Sequence, residues 1–259
     1  MNKPDTEIKR WGIVVIQSLY PEDTKTGENL YKEILQYKTY SKKESFSSFY
    51  DVNSIQAFRS AIQDIEDSLI EGDILTLQIE THGGDEGIGL NNGELLKWKD
   101  FYDIIRPLNI KTGHLLFVVM AMCKSIAMIS TINPEERAPY RAFICTTRIV
   151  YSDEIYEGFV VFYEKYFNLL DIVQALKALQ EKVKDSNGYS PFQILTAESV
   201  FDEIFNPDRN ISELVESQLE RLNLPNTEIT NSIISKSLRN LFKKLHNKFY
   251  DYYNFKDIY

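Results

Sequence analysis

The chain has 259 residues, 43% of them hydrophobic, with 38 acidic residues against 29 basic ones and a net charge of −9. That length and apolar content support one large core, or a core with an appendage, and exclude a disordered chain. The Lys and Arg residues are spread among acids and form no stripe, which argues against a direct nucleic-acid ligand.

The opening residues `MNKPDTEIKR` contain no apolar leader segment, and no later run is long enough to span a bilayer. The expectation is a cytoplasmic protein without membrane contact. Two cysteines, Cys123 and Cys145, and three histidines form neither a disulfide framework nor a zinc motif. The acidic cluster at 85–87, with Asp153 and Glu154, lacks the ligand periodicity of a calcium loop. No metal or cofactor is expected.

In chain order, `WGIVVIQSL` (11–19) is a continuous apolar run, the pattern of a strand buried on both faces. Residues 24–52 are mixed, with a short helix at 28–36 and a polar loop after it. The stretch 53–73 opens on an Asn-Ser cap and sets Ile55, Phe58, Ile62, Ile65 and Leu69 at helical spacing, ending at Gly72. `ILTLQIET` reads as a second buried strand, `GIGLNNGELLK` as a hairpin with an Asn-Gly turn, and `WKDFYDIIRPL` as a helix that Pro107 brings to an end. `HLLFVVMAMC` (114–123) is the most hydrophobic strand. After it come a helix in `KSIAMISTI`, a loop, a strand in `RAFICTTRIVY` and an amphipathic stretch `EGFVVFYEKYF`.

Beyond residue 168 a helix (`LLDIVQALKALQEKV`), a last strand (`PFQILTA`) and two amphipathic helices follow. Strands alternating with helices predict an α/β fold with a mostly parallel central sheet. The expected division is one domain over 1–200 and a helical extension over 201–259 packed on it through Ile233, Leu238, Leu241, Leu245 and Phe249. The less economical reading makes that apolar face a dock for a sensor or regulatory protein.

A parallel sheet gathers the carboxyl ends of its strands at one edge, where such folds bind ligands. His82 and Cys123 each follow a buried strand directly. On neighbouring strands, about 4.8 Å apart, they would form a nucleophilic thiol with its imidazole base. A helix start after Cys123 and the Lys124 charge would favour the thiolate, and Gly83 and Gly84 would let an amide approach a developing oxyanion. By themselves the residues leave a second reading open, a buried thiol beside a strand-capping histidine. Cys145 lies mid-strand as a core thiol, and neither His114 nor His246 has an evident partner.

`LQIETHGG` resembles the His-Gly strand of the caspase-like cysteine protease superfamily, which includes caspases, metacaspases and bacterial CHAT-type peptidases. `FVVMAMCKS` resembles its strand ending in the nucleophile. The separation of 41 residues (123 − 82) is near the roughly 50 of the caspase pattern. The segment between them, `TTRIVYSDEIYEGFVVFYEKYF` and `SPFQILTAES` resemble in order the superfamily's hairpin and helix, its small-subunit strand, loop and helix, and its last strand, so the likeness covers roughly residues 11–200.

The resemblance implies a caspase-like three-layer sandwich and a cysteine endopeptidase acting on a specific protein substrate. His82 would be the general base, Cys123 the nucleophile, and the Gly83 and Cys123 amides the oxyanion hole. It further implies a regulated effector of prokaryotic stress or antiviral defence. Two features depart from the pattern. Ala121 stands two residues before the nucleophile, where caspases carry Gln and metacaspases an acid. `YSDE` stands where caspases place an arginine, so Asp153 and Glu154 are either the recognition site for a basic P1 residue or a solvated acidic loop. The loop `INPEERAPYR` has no aspartate for self-cleavage, so the expected trigger is a partner or a conformational change. The alternative function is a non-catalytic caspase-like interaction module; an unrelated flavodoxin-like domain with a buried Cys123 is the further rival.

Overall fold

The computed structural model describes residues 10–41, 44–70, 72–169, 171–206 and 208–255. The polar opening, residues 1–9, lies outside them. The strands are β1 (Trp11–Ser18), β2 (Ser45–Asp51), β3 (Ile74–Gly83), β4 (Gly87–Gly89), β5 (Leu95–Lys97), β6 (Leu116–Ala121), β7 (Ala142–Thr146) and β8 (Phe192–Thr196). They run in the order β2-β1-β3-β6-β7-β8, with every neighbouring pair parallel except β7 and β8. β4 continues β3 antiparallel and pairs with β5. The fold is α/β with a mostly parallel sheet, as its alternating elements predict.

The central strands are buried on both faces, so they read as unbroken apolar runs. One face packs Ile13, Val15, Phe117, Val119 and Ile144 against Phe159, Phe162, Tyr163 and Phe167 of α5 (Ser152–Leu169) and Leu176 and Leu179 of α6 (Ile172–Lys182). On the same side, α1 (Thr26–Leu30) leads through a π-helical turn (Tyr31–Leu35) into α2 (Gln36–Tyr40). The crossovers β2–α3–β3 and β3–α4–β6 run the other way across the sheet. Their right-handedness sets α3 (Ile55–Ser68) and α4 (Trp98–Lys111) on the opposite face, where Phe58 and Phe101 meet.

The Ser54 side chain caps α3 by accepting from the Ala57 amide at 3.1 Å, as its Asn-Ser start predicts. Four local readings need correction. Pro107 lies inside α4, which continues to Lys111. An internal proline costs about 3 kcal/mol, and burial of Leu108 and Asn109 beyond it offsets that cost. The Asn109 side chain also donates to the Ala138 carbonyl and accepts from the Leu116 amide.

Residues 45–51, read as loop, form edge strand β2. Their aromatics are accommodated by the partner strand, since a Cβ on Gly12 of β1 would run into the Phe46 ring. Residues 125–131 form a short 3-10 turn (Ser125–Thr131) in place of an α-helix. Asp153 and Glu154 open α5 and are not on a loop.

By contact the chain divides into two units. The first comprises Met1–Ile132 and Ala138–Thr196. The second comprises Asn133–Arg137 and Ala197–Tyr259, and contains α7 (Ala197–Phe205), α8 (Ser212–Arg221) and α9 (Glu228–Asn254). Within it Ile211, Val215 and Leu219 form a small core with Leu214, Ile234, Leu238 and Phe242. Of the predicted α9 face, Phe249 is buried while Ile233 and Leu241 are exposed. The residues that pack on the small core are Ile234, Leu238 and Phe242, so Leu238 belongs to the packed stripe as predicted while Ile234 and Phe242 take the places expected of Ile233 and Leu241.

Candidate active site

The parallel strands deliver five loops to one edge of the first unit: 19–25, 52–54, 84–86, 122–124 and 147–151. The β3–β6 register ends at Glu80 opposite Ala121. Two residues beyond that pair stand His82, still in β3, and Cys123, in the turn that follows β6. Cys123 packs against the α5 core.

Gly83 makes this approach possible. A Cβ there would run into the Cys123 carbonyl oxygen and come within 2.8 Å of Met122 Cγ, so any larger residue would separate the strand ends. Gly84 faces open space. Its amide is occupied by the Gly87 carbonyl at 3.1 Å and its carbonyl accepts from Trp98 Nε1 at 3.2 Å. The turn carrying Cys123 is fixed from below by β7. Thr146 Oγ1 donates to the Met122 carbonyl and accepts from the Ser125 amide, and the Thr146 amide donates to Ser125 Oγ.

His82 and Cys123 make no hydrogen bond to each other. The half-buried thiol lies between the Val150 amide and carbonyl, with Sγ 3.5 Å from the nitrogen and 3.6 Å from the oxygen. His82 Nε2 lies 2.8 Å from Asp23 Oδ2, and its ring lies against Tyr20 with centroids 5.0 Å apart. The His82 side chain is 48% exposed, and it borders a shallow depression of about 400 Å³ with Gly83, Asp85, Glu86 and Leu95, a depression whose wall does not include Cys123. Burial pulls the Asp23 carboxyl upward, but the hydrogen bonds from His82 and the Tyr20 amide outweigh it and hold the group below its ordinary range.

Asp23 escaped the sequence reading. The signal was present in `YPEDTK`, directly after a strand that shares the ligand-bearing edge. The two supports expected for a thiolate are otherwise engaged. Lys124, in left-handed conformation at φ 50°, reaches Asp85 at 3.4 Å, and the first amide of the 3-10 turn donates to Thr146.

Of the expected recognition residues, Ala121 is 1% exposed within the core and offers a substrate no surface as it stands. Asp153 is exposed in the first turn of α5. Glu154 is held by both terminal guanidinium nitrogens of Arg148, at 2.6 and 3.1 Å, and by the Tyr151 amide at 2.9 Å. The Arg148 contact lowers its carboxyl pKa. The same residue ties its loop to the thiol turn, since the Lys124 amide donates to the Arg148 carbonyl at 3.1 Å.

Beneath His82, on the same face of β3, Glu80 is wholly buried. Burial pushes its carboxyl up to about 7 against hydrogen bonds from Thr26 and Gln78. Cys145 is a core thiol, pushed up to about 12 by burial. His114 and His246 acquire partners, Asn109 and Asp202 respectively.

Among the described residues no cluster of His, Cys, Asp or Glu is placed to hold a metal, and no helix is long and apolar enough to cross a membrane. No protein-family model matches the chain, and no curated protein matches it.

Proposed function

We propose that the protein is a caspase-like cysteine endopeptidase in which Cys123 attacks a substrate carbonyl and His82 carries the protons. The observation that carries this reading is the β3–β6 pairing, which ends at Glu80 opposite Ala121, so that His82 and the turn carrying Cys123 follow at one sheet edge with Gly83 packed closely on the Cys123 carbonyl. The strand order, with its last strand antiparallel, is compatible with the three-layer sandwich that the resemblance implies. The setting is an effector of prokaryotic stress or antiviral defence, acting in the cytoplasm on one protein substrate. The engaged thiol supports a regulated enzyme in which Cys123 leaves Val150 at intervals to meet His82 in the chain alone, and a sensor or regulatory partner would shift that balance toward the His82-facing thiol.

Iodoacetamide labelling tests this reading. Cys123 should label at neutral pH while Cys145 stays inert, and His82→Ala should slow Cys123 by about tenfold or more. Labelling indifferent to His82 would refute the pair. A second reading, the non-catalytic interaction module, is favoured by the missing His82–Cys123 hydrogen bond. A thiol that depends on His82 and turns over peptide substrates would reject it.

A further inference from the structure

The geometry points to Asp23 as a positioning residue that fixes the His82 tautomer, an inference that rests on the catalytic reading of His82 and Cys123. Asp23 Oδ2 accepts from both His82 Nε2 and the Tyr20 amide, each at 2.8 Å. The loop that holds it is itself tied down. Lys25 Nζ donates to the Leu19 and Tyr20 carbonyls, and the Asp23 amide donates to the Tyr20 carbonyl at 3.0 Å. This loop leaves β1, which pairs in parallel with β3 up to Ser18 opposite Thr81, so the sheet itself delivers the carboxylate to the residue after Thr81.

A carboxylate can only accept, so Nε2 carries the proton and Nδ1 is left as the basic nitrogen. Tyr20 lies against one side of the ring and limits its rotation. Nδ1 then takes the Cys123 proton, giving a thiolate and an imidazolium whose charge the Asp23 carboxylate stabilises. As sulfur bonds to the substrate carbonyl carbon and the carbon–nitrogen bond breaks, that proton passes from Nδ1 to the leaving amine. Water then cleaves the thioester, giving up a proton to Nδ1 that returns to the departing thiolate. Nε2 keeps its proton throughout, and Asp23 positions the ring without touching the reacting atoms.

The test combines nitrogen NMR of the His82 ring with iodoacetamide labelling of Cys123 in the full chain. The chain has three histidines, so the ring signals are assignable by substitution. In the native protein the neutral ring should carry its proton on Nε2. Asp23→Ala should lose that preference and label at least about tenfold more slowly. Asp23→Asn, which keeps an oxygen acceptor without the charge, should fall between the two. In a His82→Ala background Asp23→Ala should change labelling no further.

A merely structural loop would shift the unfolding midpoint of the Asp23 variants and leave the tautomer as it was. A native ring protonated on Nδ1, or an Asp23→Ala chain that labels at the native rate, overturns the inference while the catalytic reading stands if His82→Ala still slows Cys123. Labelling indifferent to His82 overturns both. Should the alanine variant fail to fold, Asp23→Asn and the native tautomer still decide.

Discussion

Gly83 shows how much of the site depends on one missing side chain. Its neighbour in sequence, Gly84, looks equivalent in `THGGD`, yet a Cβ at 84 meets nothing within 4 Å while one at 83 collides with backbone. Gly83→Ala should therefore push the ends of β3 and β6 apart, lower stability by about 2 kcal/mol and slow Cys123 labelling, whereas Gly84→Ala should leave both near native values. Denaturant unfolding and thiol labelling of the pair measure this contrast. At this scale His82, Gly83 and Cys123 were legible as residue types following buried strands. Asp23 was visible only as an acid in the loop after β1, because its partner is distant in sequence and is reached only through the β1–β3 pairing. The engagement of Glu154 by Arg148 was equally hidden, so two acids in `YSDE` read alike although only Asp153 is unclaimed by a guanidinium.

At the scale of elements, the polar seam between α1 and the sheet holds a carboxyl that makes stability depend on pH near neutrality. Glu80 on β3 accepts from Thr26 at the start of α1 and from Gln78, which in turn accepts from the buried Tyr163 of α5. Its folded pKa of about 7 stands above the ordinary value of 4.5. A raised carboxyl pKa means that the folded state holds its proton while the unfolded chain has released it, so the stability contributed by this one group is full below pH 4.5 and is lost as pH rises toward 7. The span corresponds to about 3 kcal/mol. Unfolding midpoints at pH 5 and pH 8 should show that loss in the native chain and not in Glu80→Gln, whose amide is neutral throughout. Helix periodicity located α3, α5 and α6 well because their buried stripes are one-sided. It failed at Pro107 and at β2, where the deciding contacts come from residues far along the chain.

At the scale of the whole molecule, the second unit carries its own small core, so its stability can be changed separately. Leu219 is 3% exposed there, and Leu219→Ala should cost about 3 kcal/mol. Hydrogen exchange should show α8 amides losing protection while β3 and β6 amides retain theirs. Equal loss in the sheet would show that the two units unfold together. The sequence placed a division near residue 200, whereas contacts divide the chain after Thr196 and give Asn133–Arg137 to the helical unit. A five-residue exchange of that kind leaves no compositional trace, because it depends on which residues meet after folding.

By itself the sequence determined the α/β class, the buried central strands and the two residues at their ends, because hydrophobic runs and helical stripes are local consequences of which faces are covered. Only the tertiary structure decided that β3 and β6 are neighbours in register, that Asp23 reaches His82, and that Val150 holds the Cys123 thiol. Those relations depend on strand order and loop path, and no local pattern of side chains encodes either.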